Sequence, residues 1–521
     1  MYILKRARTL AFGLILAVVT TIATTRTAHG ATAHAPSVDA TTIVAVYNGT
    51  APYRTEISLT GSGFGAPVAG AYLFVKKQTY AAYVASTNCL VWTDSLIIAT
   101  VPVTLIGGSI EVFTSSGNSG SAVPIARTYQ FQSYPIPPTP GTNAHPLAIA
   151  ADNAGRVWDL EEYHLNFQLL APGAAQVVGL TMPHPEVPPF AMTMWGDDPS
   201  QTSVMGEDVI VDPSGGIWLA QGGSFLYNGV NPNHSRIVNY NPTTQAFRVY
   251  NIPGDNNEVN GLTWDVMHDR IWFTENNEGQ PAKIASFNPD KVPFDNDFNF
   301  DASLDTLLCQ PGEDDTNCIH EYPLPYHSFQ MAHLVLDGTG NVWFTDYWPH
   351  AASALGRLHP ATGAVDYYPL SYNGLSQNRC IGLGPWQIAI GPSGEVVATL
   401  FFAGTIVRMS ASNFDNPACV VLDSYGNNPC VQQVTMPVSV QTHSIAYDSG
   451  GNLWFANHGN ALLAGVGYLK ADWSRLVYLP LGPFMARQTF SGAGITIDPV
   501  TKDIFVSDYF NQAIGRLTRI R

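Results

Sequence analysis

One arrangement of apolar and polar positions recurs seven times along this chain. In residues 443–457 an apolar run, Ile445 to Tyr447, ends in Asp448; a tight turn with Gly451 follows, and a second apolar run carries Trp454. Asp at the first position of a four-residue turn and Gly at the fourth is type I turn chemistry. Two short apolar runs around such a turn predict a hairpin. Equivalent first runs end in Asp152, Asp212, Asp265, Asp337, Gly391 and Asp498, and the matching second runs carry Trp158, Trp218, Trp272, Trp343, Val397 and Phe505. A lone hairpin cannot bury both faces, so a unit repeated this often stacks on its neighbours. The copies lie somewhat further apart than the roughly 40–50 residues of a typical propeller blade, which leaves room for generous loops.

The last strand of the unit has its own signature, seen in Tyr250-Asn-Ile-Pro253, Tyr322-Pro-Leu-Pro325, Tyr368-Pro-Leu370 and Tyr478-Leu-Pro480. The chain stops at a third-strand sequence, Ile514-Gly-Arg-Leu517, while an orphan last strand, residues 127–137 ending Tyr134-Pro-Ile-Pro137, precedes the first unit. Closing a ring with that orphan uses every piece once and leaves no open sheet edge. The expectation is an all-β protein: a seven-bladed β-propeller over residues 127–521, with 127–137 as the closing strand of the last blade. Before it, residues 42–125 read as a smaller all-β unit.

Composition narrows the function classes. Hydrophobic residues make up 45% and charged residues only 12%, with a net charge of −16. No cluster of Lys and Arg marks a nucleic-acid footprint. Lys5, Arg6 and Arg8 precede the apolar run Leu10 to Ala23, and small residues end near residue 30. This is the layout of a cleaved secretory signal, residues 1–30, so the expected location is extracellular. No other stretch is long and apolar enough to span a bilayer, and the mature chain reads as a monomer. Six cysteines suit an oxidising compartment. Cys309 with Cys318 and Cys419 with Cys430 each bracket a polar insertion and are expected to clip it; Cys89 and Cys380 remain, paired only by arithmetic.

In the smaller unit, Ile57-Ser-Leu-Thr-Gly-Ser-Gly-Phe-Gly65, the strand from Trp92 to Pro102, and Ile110-Glu-Val-Phe113 resemble the IPT/TIG immunoglobulin-like domain. That resemblance implies an Ig-like β-sandwich acting as a spacer or binding module. In the repeats, Trp343-Phe-Thr-Asp346 with Leu355-Gly-Arg-Leu358, and Trp272-Phe-Thr-Glu275, resemble the virginiamycin B (streptogramin) lyase family. That family opens an ester ring by elimination, using two histidines on the inner strands of its last two blades, a nearby glutamate and Mg²⁺. Carried onto this chain, the first histidine falls on His443. The second falls on Ala493, and the glutamate on Asp508 or Tyr509. Streptogramin lysis itself is therefore not expected.

Hairpin geometry places five residues before the turn and three after the Trp together at the far end, beside the channel. Those positions carry Glu161, Glu207, Gln221, Asn260, Glu275, Asp346, His443, Asn457 and Asp508. His333 lies one residue off, and His458 and Tyr509 directly follow their strands. Converging carboxylates repel unless a cation neutralises them or some are protonated. One reading is a hard cation, Mg²⁺ or Ca²⁺, held by Glu207, Glu275 and Asp508; the other is an ion-free rim of solvated or capping charges. His443 is the candidate acid/base, with Asp508 and His333 beside it. Glu161, Gln221, Asn260, Asp346, Trp386, Asn457 and Tyr509 are candidate ligand contacts. For Trp386 core packing competes with a flat surface for a sugar or ring. The insertion 183–206, with Trp195, is a candidate lid. Two functions follow: a lyase-like enzyme on a polar or cyclic small molecule or glycan fragment, or a non-catalytic binding module.

Overall fold

The computed structural model describes residues 35–519 except 47–53, 78–79, 102–108, 120–122, 125, 128, 138–143, 163–165, 183–204, 223–234, 254–256, 278–280, 295–307, 310–316, 326–330, 347–352, 371–383, 422–427, 436–439, 460–464, 475 and 481–489. The expected signal segment, residues 183–204 of the candidate lid and Cys380 thus lie outside the described residues. Among those described, no helix is long and apolar enough to cross a membrane.

Among the described residues, seven antiparallel meanders follow one another. Their inner strands are Pro146–Ala151, Met205–Val211, Leu262–Asp265, Met331–Leu336, Pro385–Ile390, Val440–Tyr447 and Gly492–Ile497. Each inner strand packs on the next, and the seventh packs back on the first, so the described sheets form a ring. We number them blades one to seven. Blade seven takes its outer strand from Tyr129–Pro135, which runs antiparallel to Ala513–Arg519 in the register Tyr129↔Arg519 to Pro135↔Ala513. The seam therefore carries a full hydrogen-bonded ladder in place of an open edge.

The six-residue spacing from Asp to Trp has a local cause. Asp448 Oδ1 accepts the N–H groups of Gly450 and Asn452, while Oδ2 accepts the Trp454 indole N–H at 2.9 Å. The same indole bond runs from Trp158 to Asp152 (3.0 Å), Trp218 to Asp212 (2.8 Å) and Trp343 to Asp337 (2.9 Å). One carboxylate thus closes the turn and fixes the ring that packs between blades. Those rings stack on the last-strand tyrosines: Trp218 on Tyr250, Trp272 on Tyr322 and Trp343 on Tyr368, with centroids 5.3–5.7 Å apart. Third-strand glycine has a steric cause: a Cβ on Gly356 would lie 2.0 Å from the Phe344 ring.

The N-terminal unit is a two-sheet sandwich. Strands Ser37–Val46, Arg54–Ser62 and Leu96–Val101 form one sheet and Tyr72–Lys77, Tyr80–Ala85 and Ser109–Thr114 the other. Ile57, Leu59, Phe64, Leu73, Val75, Trp92 and Ile97 are buried between them. Its first strand meets the outer strand of blade six at Val46↔Val477. Disulfides join Cys309 to Cys318 and Cys419 to Cys430; Cys89 has no disulfide among the described residues.

Candidate functional site

The inner strands do not keep a plain two-residue alternation. Their pairing with the second strand slips at Pro146/Ala148, Gly206/Asp208, Met331/Leu334, Pro385/Ile388, Thr442/Ser444 and Gly492/Ile495. A bulge adds unpaired residues and re-aims their side chains. Here the residues inside the slips are the ones that line the axis. A cavity of about 160 Å³ is walled by Leu147, Glu207, His333, Trp386, Gln387, His443, Ala493 and Gly494 from the slips, with Asp208 and Ser444 beside them. For scale, an apolar cavity of about 150 Å³ takes a benzene ring.

Two candidate histidines share this cavity. His333 is brought in by the bulge in blade four, and its Nδ1 lies 3.4 Å from Asp208 Oδ2 of blade two. Trp386 stands between the two imidazoles, its ring 6.2 Å from that of His333 and 5.2 Å from that of His443. The ring series continues outward through His458, 6.2 Å from His443, to Tyr509 at 5.5 Å and His145 at 4.9 Å. His458 Nδ1 is hydrogen-bonded to Ser491 Oγ, and the Tyr509 hydroxyl donates to Glu162 at 2.5 Å. Burial, then repulsion from His458 and His333, pushes His443 down to about 3, against a hydrogen bond to the Ala493 backbone. Burial likewise pushes His458 down to about 4. At neutral pH both rings are uncharged and keep a nitrogen lone pair.

The carboxylates divide into two groups. Glu207 faces the cavity, and burial plus the charges of Glu258, Glu162 and Asp208 hold its carboxyl well above the usual range. Glu258 is pushed up to about 7 by burial. The other expected rim residues do not face the channel. Glu161, Gln221, Glu275, Asp346, Asn457 and Asp508 sit on second strands and are buried, none more than 5% exposed. A blade stands radially, so only its innermost strand reaches the axis; the second strand looks at neighbouring blades. Glu161 accepts from Gln168, and burial raises it to about 7. Glu275 pairs with Lys283 at 3.6 Å, and burial and Glu321 raise it to about 8. Asp508 takes the Ser491 N–H and Asn511 Nδ2, with its carboxyl raised by burial to about 6. Asn260 donates to the Met331 carbonyl of blade four.

These placements correct the expected metal set. Only Glu207 of the three carboxylates lines the cavity; Glu275 is spent on Lys283 and Asp508 on its own loop. Among the described residues, no three His, Cys, Asp or Glu side chains are grouped as metal ligands. Glu207, Glu275 and Asp508 therefore do not fit one cation. Asp508 is likewise removed from His443 as a catalytic partner, because its oxygens face Ser491 and Asn511.

Sequence reasoning missed the residue just after each rim position. Asp208 Oδ2 accepts the Leu262 N–H, Gln387 Oε1 the Ile445 N–H, and Ser444 Oγ the Ile495 N–H, at 2.8–3.1 Å, each reaching into the next blade. Their signal was a polar residue among apolar ones on an inner strand. At the same position Gly261 and Gly494 let the next blade's backbone close in: a Cβ there would lie 2.7 Å from the Ala332 carbonyl and 2.8 Å from the Leu147 carbonyl.

No protein-family model matches the chain, and no curated protein does. Solved structures do. A streptogramin B lyase is 18% identical, with a TM-score of 0.51 over 75% of this chain and 98% of its own. A catalytically inactive virginiamycin B lyase from Staphylococcus aureus, determined with quinupristin, is 18% identical, with a TM-score of 0.50 over 75% of this chain and all of its own. At that identity the likeness is one of fold: the chain has a β-propeller built like those lyases.

Proposed function

We propose that the cavity between the inner-strand bulges holds the reacting ring or carbonyl of a polar or cyclic small molecule, or of a glycan fragment, and that the protein acts on it as a lyase. The observation that carries this reading is the convergence of His443 and His333 on one ring-sized cavity with Trp386 between them. An uncharged His443, its ring oriented by the Ala493 backbone, can take a proton from a carbon next to a carbonyl. The electron pair forms a carbon–carbon double bond, the neighbouring carbon–oxygen bond breaks, and its electrons leave on oxygen. With Asp208 facing its Nδ1, His333 in its protonated form can donate its Nε2–H to the oxygen on which enolate charge grows. Trp386 offers a flat apolar face to the rest of the ring. The resemblance of residues 42–125 to IPT/TIG domains and the signal-like N-terminus add an exported protein with a spacer module.

Incubation with cyclic depsipeptides and uronate-containing glycans, followed by absorbance of the new double bond, tests the reading. His443→Ala is expected to lower turnover by about 100-fold or more, the range of a lost general base. Full activity in that variant would remove the assignment. The second reading, a binding module, is favoured by Ala493 at the second family histidine position. It predicts a ligand retained unchanged and tightened by no catalytic residue.

A further inference from the structure

The cavity contains a carboxyl that its own fold leaves unanswered. Glu207 is 7% exposed and lines the cavity, yet among the described residues it has no hydrogen-bond or ion-pair partner. The charges it feels are of its own sign, from Glu258, Glu162 and Asp208. Buried polar groups are ordinarily satisfied, and one that is not calls for an absent partner. Asp208, next along the chain, shows the contrast: it accepts the Val209 and Leu262 N–H groups and faces His333. Glu207 has none of these, and it is aimed at the same space as the Trp386 ring.

We propose that this site takes a ligand bearing a protonated amine, seated between the Glu207 carboxyl and the face of Trp386. The inference rests on the reading of the cavity as the ligand site and names the class of ligand. An ammonium on a ring-sized body answers both walls at once: a charge-assisted hydrogen bond to the carboxylate and a cation–π contact with the indole, the aromatic ring that best holds a cation. A metal ion answers only the first wall, and the described residues supply no ligand set for it. The nearby Glu258 and Glu162 strengthen the field for a cation without needing to touch it.

Calorimetric titration of the full chain with benzylammonium, benzyl alcohol and benzoate tests this. Benzylammonium is expected to bind at least about tenfold more tightly than the other two, as loss of one buried charged partner requires. Glu207→Gln is expected to bring it down to the level of benzyl alcohol. Equal affinity for the three probes in the wild-type chain overturns the proposal, and that comparison holds even where the variant does not fold. So does displacement of benzylammonium by millimolar MgCl₂, which would make Glu207 an inorganic cation site. If the three probes bind equally and Trp386→Ala abolishes all binding, the cavity reading stands and the amine falls. If none binds, both fall.

Discussion

Blades one to three bring Glu207 and Asp208 to the cavity, with Glu162 and Glu258 acting on Glu207, while blades four to six bring His333, Trp386 and His443, with His458 beside His443. Burial acts on both sides and removes charge from both, in opposite chemical senses. For a carboxyl the charged form is the deprotonated one, so Glu258 is raised to about 7 and Glu207 well above its usual range. For an imidazole the charged form is the protonated one, so His443 falls to about 3 and His458 to about 4. Burial therefore disfavours the charged form of each of these four groups. The acidic side can ionise against a bound cation; the imidazole side stays neutral and keeps its nitrogen lone pairs.

The largest test of this contrast is the pH dependence of stability. Between its usual 4.5 and about 7, Glu258 is protonated in the folded chain and ionised in the unfolded one. Its contribution is present below that window and is lost as pH rises through it. Between about 3 and its usual 6.5, His443 is neutral when folded and protonated when unfolded. Its contribution is present above that window and is lost as pH falls through it. Each proton corresponds to at most about 1.4 kcal/mol per pH unit, so opposed changes of a few kcal/mol are expected. Urea unfolding from pH 4 to 8 checks this. Glu258→Gln should flatten the decline toward high pH, and His443→Gln the decline toward low pH. If both variants tilt the curve the same way, the two sides are not opposed.

A smaller effect is expected at the ring that joins the imidazoles. Trp386→Ala removes a partly buried side chain in contact distance of His333, His443 and Phe401. A loss of about 2 kcal/mol is expected, below the roughly 3–5 of a fully buried aromatic. Water would then reach His443, and its NMR titration should move up toward the ordinary value. An unchanged titration would mean that the ring is not what keeps His443 dry.

Much of the propeller was legible because its causes are local. Asp448 and Trp454 stand six apart since one carboxylate serves both the turn and the indole. The closing strand could be found by counting pieces, and its ladder to Ala513–Arg519 follows. The cavity was harder to read. Glu161, Glu275 and Asp508 lie near its mouth along the chain, but a radial sheet turns them toward neighbouring blades. His333 and Gln387 reach the axis only because the inner strands bulge, and one extra residue leaves no mark in an apolar run. His443 was found by its place in the repeat; Asp208 and Ser444, one residue further on, carried only the weaker signal of a polar residue in an apolar inner strand.

The smallest effect separates holding the ring together from tuning its charge. Ser444 Oγ accepts the Ile495 N–H of the next blade at 3.1 Å, as Asp208 and Gln387 do for Leu262 and Ile445. Ser444→Ala would leave a buried N–H without its partner, which costs about 1–2 kcal/mol. Hydrogen exchange at Ile495 should quicken by the same free energy, since the lost bond belongs to that amide. The hydroxyl carries no charge, so the pH dependence should keep its wild-type shape at a lower level. A changed slope would mean that Ser444 acts on the ionisation of His443 beside it. An unchanged midpoint would mean that water replaces the hydroxyl, and that the seam between blades six and seven rests on packing around Trp454 and Ile495.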